Sequence, residues 1–127
     1  MMESMSLARQ LDMAFKQLDE ELSGMGSGII FFYIRNNIIG KFGVRHDPVD
    51  CKGAEIRESA FGAMSPEMRA AFRKLAVTSL QYKRGWTHGE IQYEFAVKNG
   101  ALHASILFES NYNMVNLLND EGGYFVK

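Results

Sequence analysis

The apolar positions of this chain fall into two kinds of stretch, one with the helical period and one that alternates. Leu7, Leu11, Ala14, Phe15, Leu18 and Leu22 share one helical face. Ser4 or Ser6 can cap that helix and Ser23-Gly24 stops it, while Arg9, Asp12, Lys16, Asp19 and Glu20 form its polar side. The segment 24–28 reads as a flexible connector. Segment 29–35 is β-branched and aromatic at both parities, which predicts a central strand covered on two sides. Asn36-Asn37 supplies a tight turn, because Asn tolerates the left-handed region. A second strand is expected from Ile38 to about Arg45, with Gly40 and Gly43 marking a bulge or a bend.

Segment 47–63 is the least regular. It holds Pro48, Gly53 and Gly62 among mixed charges and leaves room for a short extra strand around 54–57. A loop of this length inside a compact domain is either functional or hides an element. Ser65-Pro66-Glu67 then starts a second helix: a capping Ser, Pro at the first helical position, and an acid beside the helix dipole. Its apolar stripe is Met68, Ala71, Phe72, Leu75 and Ala76, and it is expected to end near Lys83-Arg84 with Gly85 as terminator.

The sharpest local signal is a β-hairpin over 86–109. Asn99-Gly100 suits a type I′ turn, whose two central residues both need left-handed φ. Counting outward pairs Val97 with Leu102, Phe95 with Ala104, Tyr93 with Ile106 and Ile91 with Phe108, all apolar. The opposite face then pairs Lys98 with Ala101, Ala96 with His103, Glu94 with Ser105, Gln92 with Leu107 and Glu90 with Glu109. A short helix over 110–118, a turn at Gly122-Gly123 and an edge strand from Tyr124, Phe125 and Val126 complete the reading. The fold class is α+β: one domain over 1–127, of order α-β-β-α-β-β plus a short tail, with an antiparallel sheet of four to five strands and two helices packed on one face. The element order of 1–46 repeats in 65–109, but the residues do not.

Composition narrows the function classes. Hydrophobic residues at 46% and charged residues at 23% are ordinary globular values, and the length is enough for a core without staples. A formal net charge of −1 excludes a generally basic, nucleic-acid-coating protein. Cys51 is the only cysteine, which excludes an internal disulfide and a cysteine-based zinc site and fits a reducing compartment. The first eleven positions lack the apolar core of a signal peptide, and the longest apolar run, 29–34, is too short to span a bilayer. The expectation is a cytoplasmic protein with no membrane segment.

Candidate chemistry concentrates on the outer face of the hairpin. Glu90 and Glu94 share a face of one strand at a spacing of about 7 Å, and Glu109 lies across from Glu90 at roughly 5 Å. Directly opposed like charges destabilise a sheet. With Gln92 and Leu107 between them, Glu90, Glu94 and Glu109 form a candidate partner-binding surface. The competing reading is a solvated face whose charges splay apart at a frayed end. No catalytic, cofactor or metal residues are assigned: nothing near the acids completes a mechanism, and a metal would need further ligands from other elements. His88 and His103 are expected on the same outer face, and His46 beside Asp47; their spacing matches no ligand motif. Cys51 could act as a nucleophile only with a base and an oxyanion site, and His46 is merely near in sequence. Gly24 to Gly28 precedes a strand, whereas a phosphate cradle lies between a strand and a helix. Lys83-Arg84 closes a helix, where cations complement the dipole.

The helix over 68–83, the tryptophan in Gly85-Trp86-Thr87 and the alternating hairpin ending in Phe108-Glu109 resemble the C-terminal half of YezG-like immunity proteins. The N-terminal half departs from that pattern, with no tryptophan and no acidic strand after the first helix. The resemblance implies a small bacterial antitoxin that neutralises a nuclease toxin, its carboxylates standing in for phosphates in a basic groove. The order of elements is also similar to that of bacterial secretion chaperones, which are dimeric and bind an extended effector segment, although their leucine-rich turn into the second helix is missing. The expected function is therefore an immunity-type protein that binds and blocks a toxin and is not an enzyme. The alternatives are a homodimeric peptide-binding chaperone and a small enzyme using the Glu90/Glu109 pair.

Overall fold

A computed structural model describes residues 5–57 and 61–120. The elements run α1 (Leu7–Ser23), β1 (Ser27–Arg35), β2 (Ile38–His46), β3 (Cys51–Lys52), β4 (Glu55–Ile56), α2 (Pro66–Ser79), one 3-10 turn (Leu80–Tyr82), β5 (His88–Lys98), β6 (Ala101–Ser110) and α3 (Met114–Asp120). Four strands form one antiparallel sheet in the order β2-β1-β5-β6, and β3 and β4 make a separate two-stranded hairpin. The α+β class is as expected. The turn at Gly122-Gly123 and the edge strand of Tyr124, Phe125 and Val126 lie outside the described residues.

α1 forms where its period places it. Ser6 caps it through a hydrogen bond from the Arg9 amide (3.1 Å), and Leu11, Ala14, Phe15, Leu18 and Leu22 are buried. Ser65 caps α2 in the same way, accepting from the Met68 amide at 3.2 Å. The buried stripe of α2 is narrower than the sequence suggests: Phe72, Ala76 and Ser79 are buried, whereas Ala71 and Leu75 face outward. α2 meets the core along the Phe72, Ala76, Ser79 row, with Met68 and Val77 packed partly against it, so only the flank of Ala71 and Leu75 stays exposed. The α-helix also stops at Ser79, short of Lys83-Arg84, because the chain tightens into the 3-10 turn.

Phe15, at the centre of α1, has ring centroids of Phe32, Phe72 and Tyr93 at 5.6, 5.5 and 5.9 Å. Burial pushes the Tyr93 phenol up to about 12, against the smaller pull of the Ser79 hydroxyl 3.0 Å away. Both hydroxyls reach the Ala76 carbonyl, which ties the end of α2 to β5.

Asn36 and Asn37 form the β1–β2 turn with φ of 52° and 61°. The same turn is a junction. The Asn36 and Asn37 amides donate to the Thr87 and Trp86 carbonyls, Asn37 Oδ1 accepts from the Trp86 amide, and buried Gln10 of α1 donates to the Asn37 carbonyl. Trp86 therefore inserts into the core ahead of β5 and does not open the strand, which starts at His88. The helix expected from Ser110 begins at Met114, since β6 continues to Ser110 and Asn113 Oδ1 accepts from the Val115 and Asn116 amides.

Two readings of glycines change. The connector before β1 is pinned, with Met25 and Gly26 carbonyls accepting from the Met64 and Val97 amides. A β-carbon at Gly26 would run into the Gly62 carbonyl, so glycine serves close approach there and not flexibility. In β2 the pairing slips by one residue between Phe42 and Ile39 opposite Phe32 and Ile34, which puts the bulge at Gly40-Lys41.

Candidate functional site

The hairpin register is the one the turn implies, from Lys98↔Ala101 to Glu90↔Glu109. Side chains alternate across a strand, so one parity of β5 enters the core (Ile91, Tyr93, Phe95, Val97) and the other faces away from both helices (His88, Glu90, Gln92, Glu94, Ala96). α1 and α2 pack on the inner side, while α3 lies at the Arg35–His88 end of the sheet, where Met114, Asn116 and Leu117 line a groove with His88.

This corrects the reading of β1. It is central, but it is covered on one side only: Ile30, Phe32 and Ile34 are buried, while Ile29 and Phe31 are half-buried and Tyr33 is 38% exposed. Both helices went to the same face, as the layered arrangement requires when two helices flank one four-stranded sheet. The outward aromatics are partly covered by long side chains of β2 instead. The Arg45 guanidinium lies 5.0 Å from the Phe31 ring centre, and Lys41 Nζ lies 5.9 Å from that of Tyr33. A β-carbon at Gly43 would press on the Phe31 ring at 3.0 Å, so this glycine leaves the ring room to lie across β2.

Pairing of the four strands turns the open face into rows. One row runs Arg45, Ile29, Glu94, Ser105; the next Gly43, Phe31, Gln92, Leu107; the third has Tyr33, Glu90 and Glu109, with Lys41 in the bulge beside Tyr33. Arg35 lies between Ile38 and His88 at the end of the sheet. Read across the strands, Lys41 and Arg45 lie on β2, apolar and aromatic groups run along β1 up to Arg35 at its end, and Glu90, Glu94 and Glu109 lie on β5 and β6, with Lys98 at the turn end of β5.

All five sequence-predicted residues, Glu90, Gln92, Glu94, Leu107 and Glu109, are on this face, and Leu107 is 59% exposed. Gln92 Nε2 donates to Glu90 Oε2 at 2.8 Å, which fixes the half-buried Glu90 carboxylate beside its neighbour. None of the three carboxylates and none of Arg35, Lys41 and Arg45 forms an ion pair among the described residues. For Lys41 and Arg45 the reason is spatial: the β1 side chains stand between them and the carboxylates. Ile29, Phe31, Tyr33, Lys41 and Arg45 were missed from sequence because 29–35 reads as apolar on both parities. The alternation of glycine and cation in Gly40-Lys41 and Gly43 to Arg45 was the available signal.

A groove of about 370 Å³ at the Ser27 end takes in Glu94, His103 and Ser105 but neither Glu90 nor Glu109. His88 and His103 lie on the outer face as expected, whereas His46 turns to the helix side and meets Glu21 of α1 at 2.6 Å. Ser27 Oγ donates to Asp47 beside it. Cys51 is exposed in the small hairpin, with its thiol directed to the Val49 carbonyl. Among the described residues no three His, Cys, Asp or Glu side chains are grouped to hold a metal ion. No helix among them is long and apolar enough to cross a membrane. No protein-family model matches the chain, and neither a curated protein nor a solved structure matches it.

Proposed function

We propose that the chain is a protein-binding module of immunity type, which docks a toxin on the open face of its sheet and performs no chemistry of its own. The observation that carries this reading is the contrast of coverage: helices seal one side of the sheet, while the other presents aromatic anchors between unpaired charges. Aromatic and Arg side chains supply most binding energy at interfaces, and flanking charges steer encounter and select the partner. Strands hold these groups in place before binding, which lowers the ordering cost. In this reading Glu90, Glu94 and Glu109 enter a basic groove such as a nuclease offers its substrate, with Gln92 and Leu107 packed beside them. The weak overall charge is compatible with it, because Glu90, Glu94 and Glu109 are gathered on β5 and β6 while Lys41 and Arg45 stand apart on β2.

The test uses tagged wild type and the triple variant Glu90→Lys/Glu94→Lys/Glu109→Lys as baits in a lysate of the source organism. One stoichiometric partner is expected on wild type and not on the variant. That partner, expressed alone, is expected to be toxic and to be neutralised by wild type only. A variant that binds and protects as wild type does overturns the acidic-face mechanism.

The chaperone-like alternative has one observation in its favour. β6 ends the sheet, and its segment 101–110 contains no Lys, Arg or Pro, the residues that ordinarily blunt an open edge. An extended segment would add there as a further strand. Substituting Ala104→Pro on that edge separates the two: it abolishes capture of an extended segment and leaves face docking intact.

A further inference from the structure

We infer that the open sheet face is self-complementary and that the free protein forms a two-fold dimer through it. The inference goes beyond the partner reading and does not depend on it, since it concerns the purified chain alone.

Arg45 and Glu94 belong to the same row, as do Lys41 and the Glu90–Glu109 pair, yet Ile29 and Tyr33 of β1 stand between each cation and its carboxylate. Two strand spacings, about 10 Å, are too far for an ion pair within one chain. Now let a second copy face the first, rotated by half a turn about an axis lying along β1. That rotation keeps each row at its own level and exchanges the two sides of β1. The second copy's β5 comes to lie over β2, and its β2 over β5. Arg45 then meets Glu94 of the second copy, Lys41 meets Glu90, and both contacts occur twice. Along the axis Ile29, Phe31 and Tyr33 meet their own counterparts, an apolar centre with charges around it, as interfaces are built, while Arg35 at the end of β1 meets its own copy and opposes the pairing at that end alone.

The alternative rotation, about an axis across the strands, sets cations on cations and acids on acids. The face therefore selects one orientation. It also satisfies the rule for a symmetric interface, that whatever residue i does to residue j is returned. Two sheets packed this way sit about 10 Å apart with strands inclined by about 30°, which long Arg, Lys and Glu side chains can span. Three strands and a nine-residue β1 give a footprint of roughly 14 by 30 Å. Such a footprint, about 420 Å² per copy, is below the size of stable interfaces and in the range of weak, transient ones, so a salt-sensitive dimer of micromolar or weaker affinity is expected. A partner that takes the face displaces the second copy.

Sedimentation velocity on the full chain through the micromolar range tests this. Wild type is expected to shift from monomer to dimer with concentration, and high salt to move the shift upward. Lys41→Glu/Arg45→Glu makes the face acidic on both sides, and Glu90→Lys/Glu94→Lys makes it basic on both sides. Each double variant alone is expected to weaken the dimer by about tenfold or more, because like charges then oppose. An equimolar mixture of the two is expected to restore a dimer, since each presents what the other needs. Phe31→Lys gives the same weakening from a single position on the axis, where a cation meets its own copy. A wild type that stays monomeric, a dimer that neither double weakens, or a mixture that remains monomeric overturns the inference. None of these results bears on capture of a partner by wild type, which is read separately.

Discussion

Phe31 and Phe32 are the same side chain one peptide apart, yet they belong to different parts of the molecule. Phe32 is buried with its ring 5.6 Å from Phe15, 5.9 Å from Phe42 and 5.8 Å from Tyr93. Phe31 lies on the open side, 5.5 Å from Tyr33 and beneath Arg45. The inner face is closed by two helices and holds the buried Tyr93 phenol through Ser79 and the Ala76 carbonyl. On the outer face Phe61, from the segment before α2, meets Lys98, and among the described residues Glu90, Glu94, Glu109, Lys41 and Arg45 form no ion pair. Alternation of a strand divides a uniformly apolar run into a stabilising half and a half available for recognition.

Replacing each ring by Ala gives the widest separation between the faces. Phe32→Ala is expected to cost about 3–5 kcal/mol in unfolding free energy, the lost transfer energy plus the cavity left behind. Phe31→Ala is expected to cost less than about 1 kcal/mol, because a half-buried ring on a surface can be replaced by water. Denaturant titration of the two variants measures both, and equal costs would mean the outer face is covered.

The buried phenol gives the next effect. The folded protein holds Tyr93 protonated up to about 12, against 10.0 for an unperturbed phenol. Its contribution is complete below pH 10 and is lost as pH rises from there toward 12, because only the unfolded chain has then released the proton. A shift of this size corresponds to about 2–3 kcal/mol of stability lost across that window. Tyr93→Phe is expected to flatten the decline; unfolding curves of both proteins through that pH range show it as a difference that other titrating groups share and cancel.

The smallest effect belongs to the outer face. Glu109→Gln relieves the opposition with Glu90 and is expected to gain about 0.2–1 kcal/mol, with the gain shrinking as salt rises. A loss of stability on the same substitution would show that Glu109 is held by a favourable contact.

Much of this was readable along the chain, and for local reasons. The Asn99-Gly100 turn and the alternation beside it specify every pair of the β5–β6 ladder, since a slip by one residue would send the apolar set to water. Ser6, Ser65 and Pro66 mark helix starts through backbone groups within three residues of themselves. The errors are of another sort. Segment 24–28 was read as flexible because glycine frees a chain in isolation, while the nearby Gly62 backbone makes it a point of close approach. Helical period carries α2 to Lys83-Arg84, whereas the α-helix ends at Ser79 and a 3-10 turn follows, with Leu80 packed against the core.

Turn chemistry, caps and period therefore determine which residues form each element and which residues of the hairpin oppose one another, because these depend on neighbours in sequence. The placement of β1 between β2 and β5, the gathering of both helices on one side, and the row in which Arg45 and Glu94 flank Ile29 were decided only in three dimensions. They depend on which of two apolar faces is sealed, and a strand apolar at both parities carries no local mark of that choice.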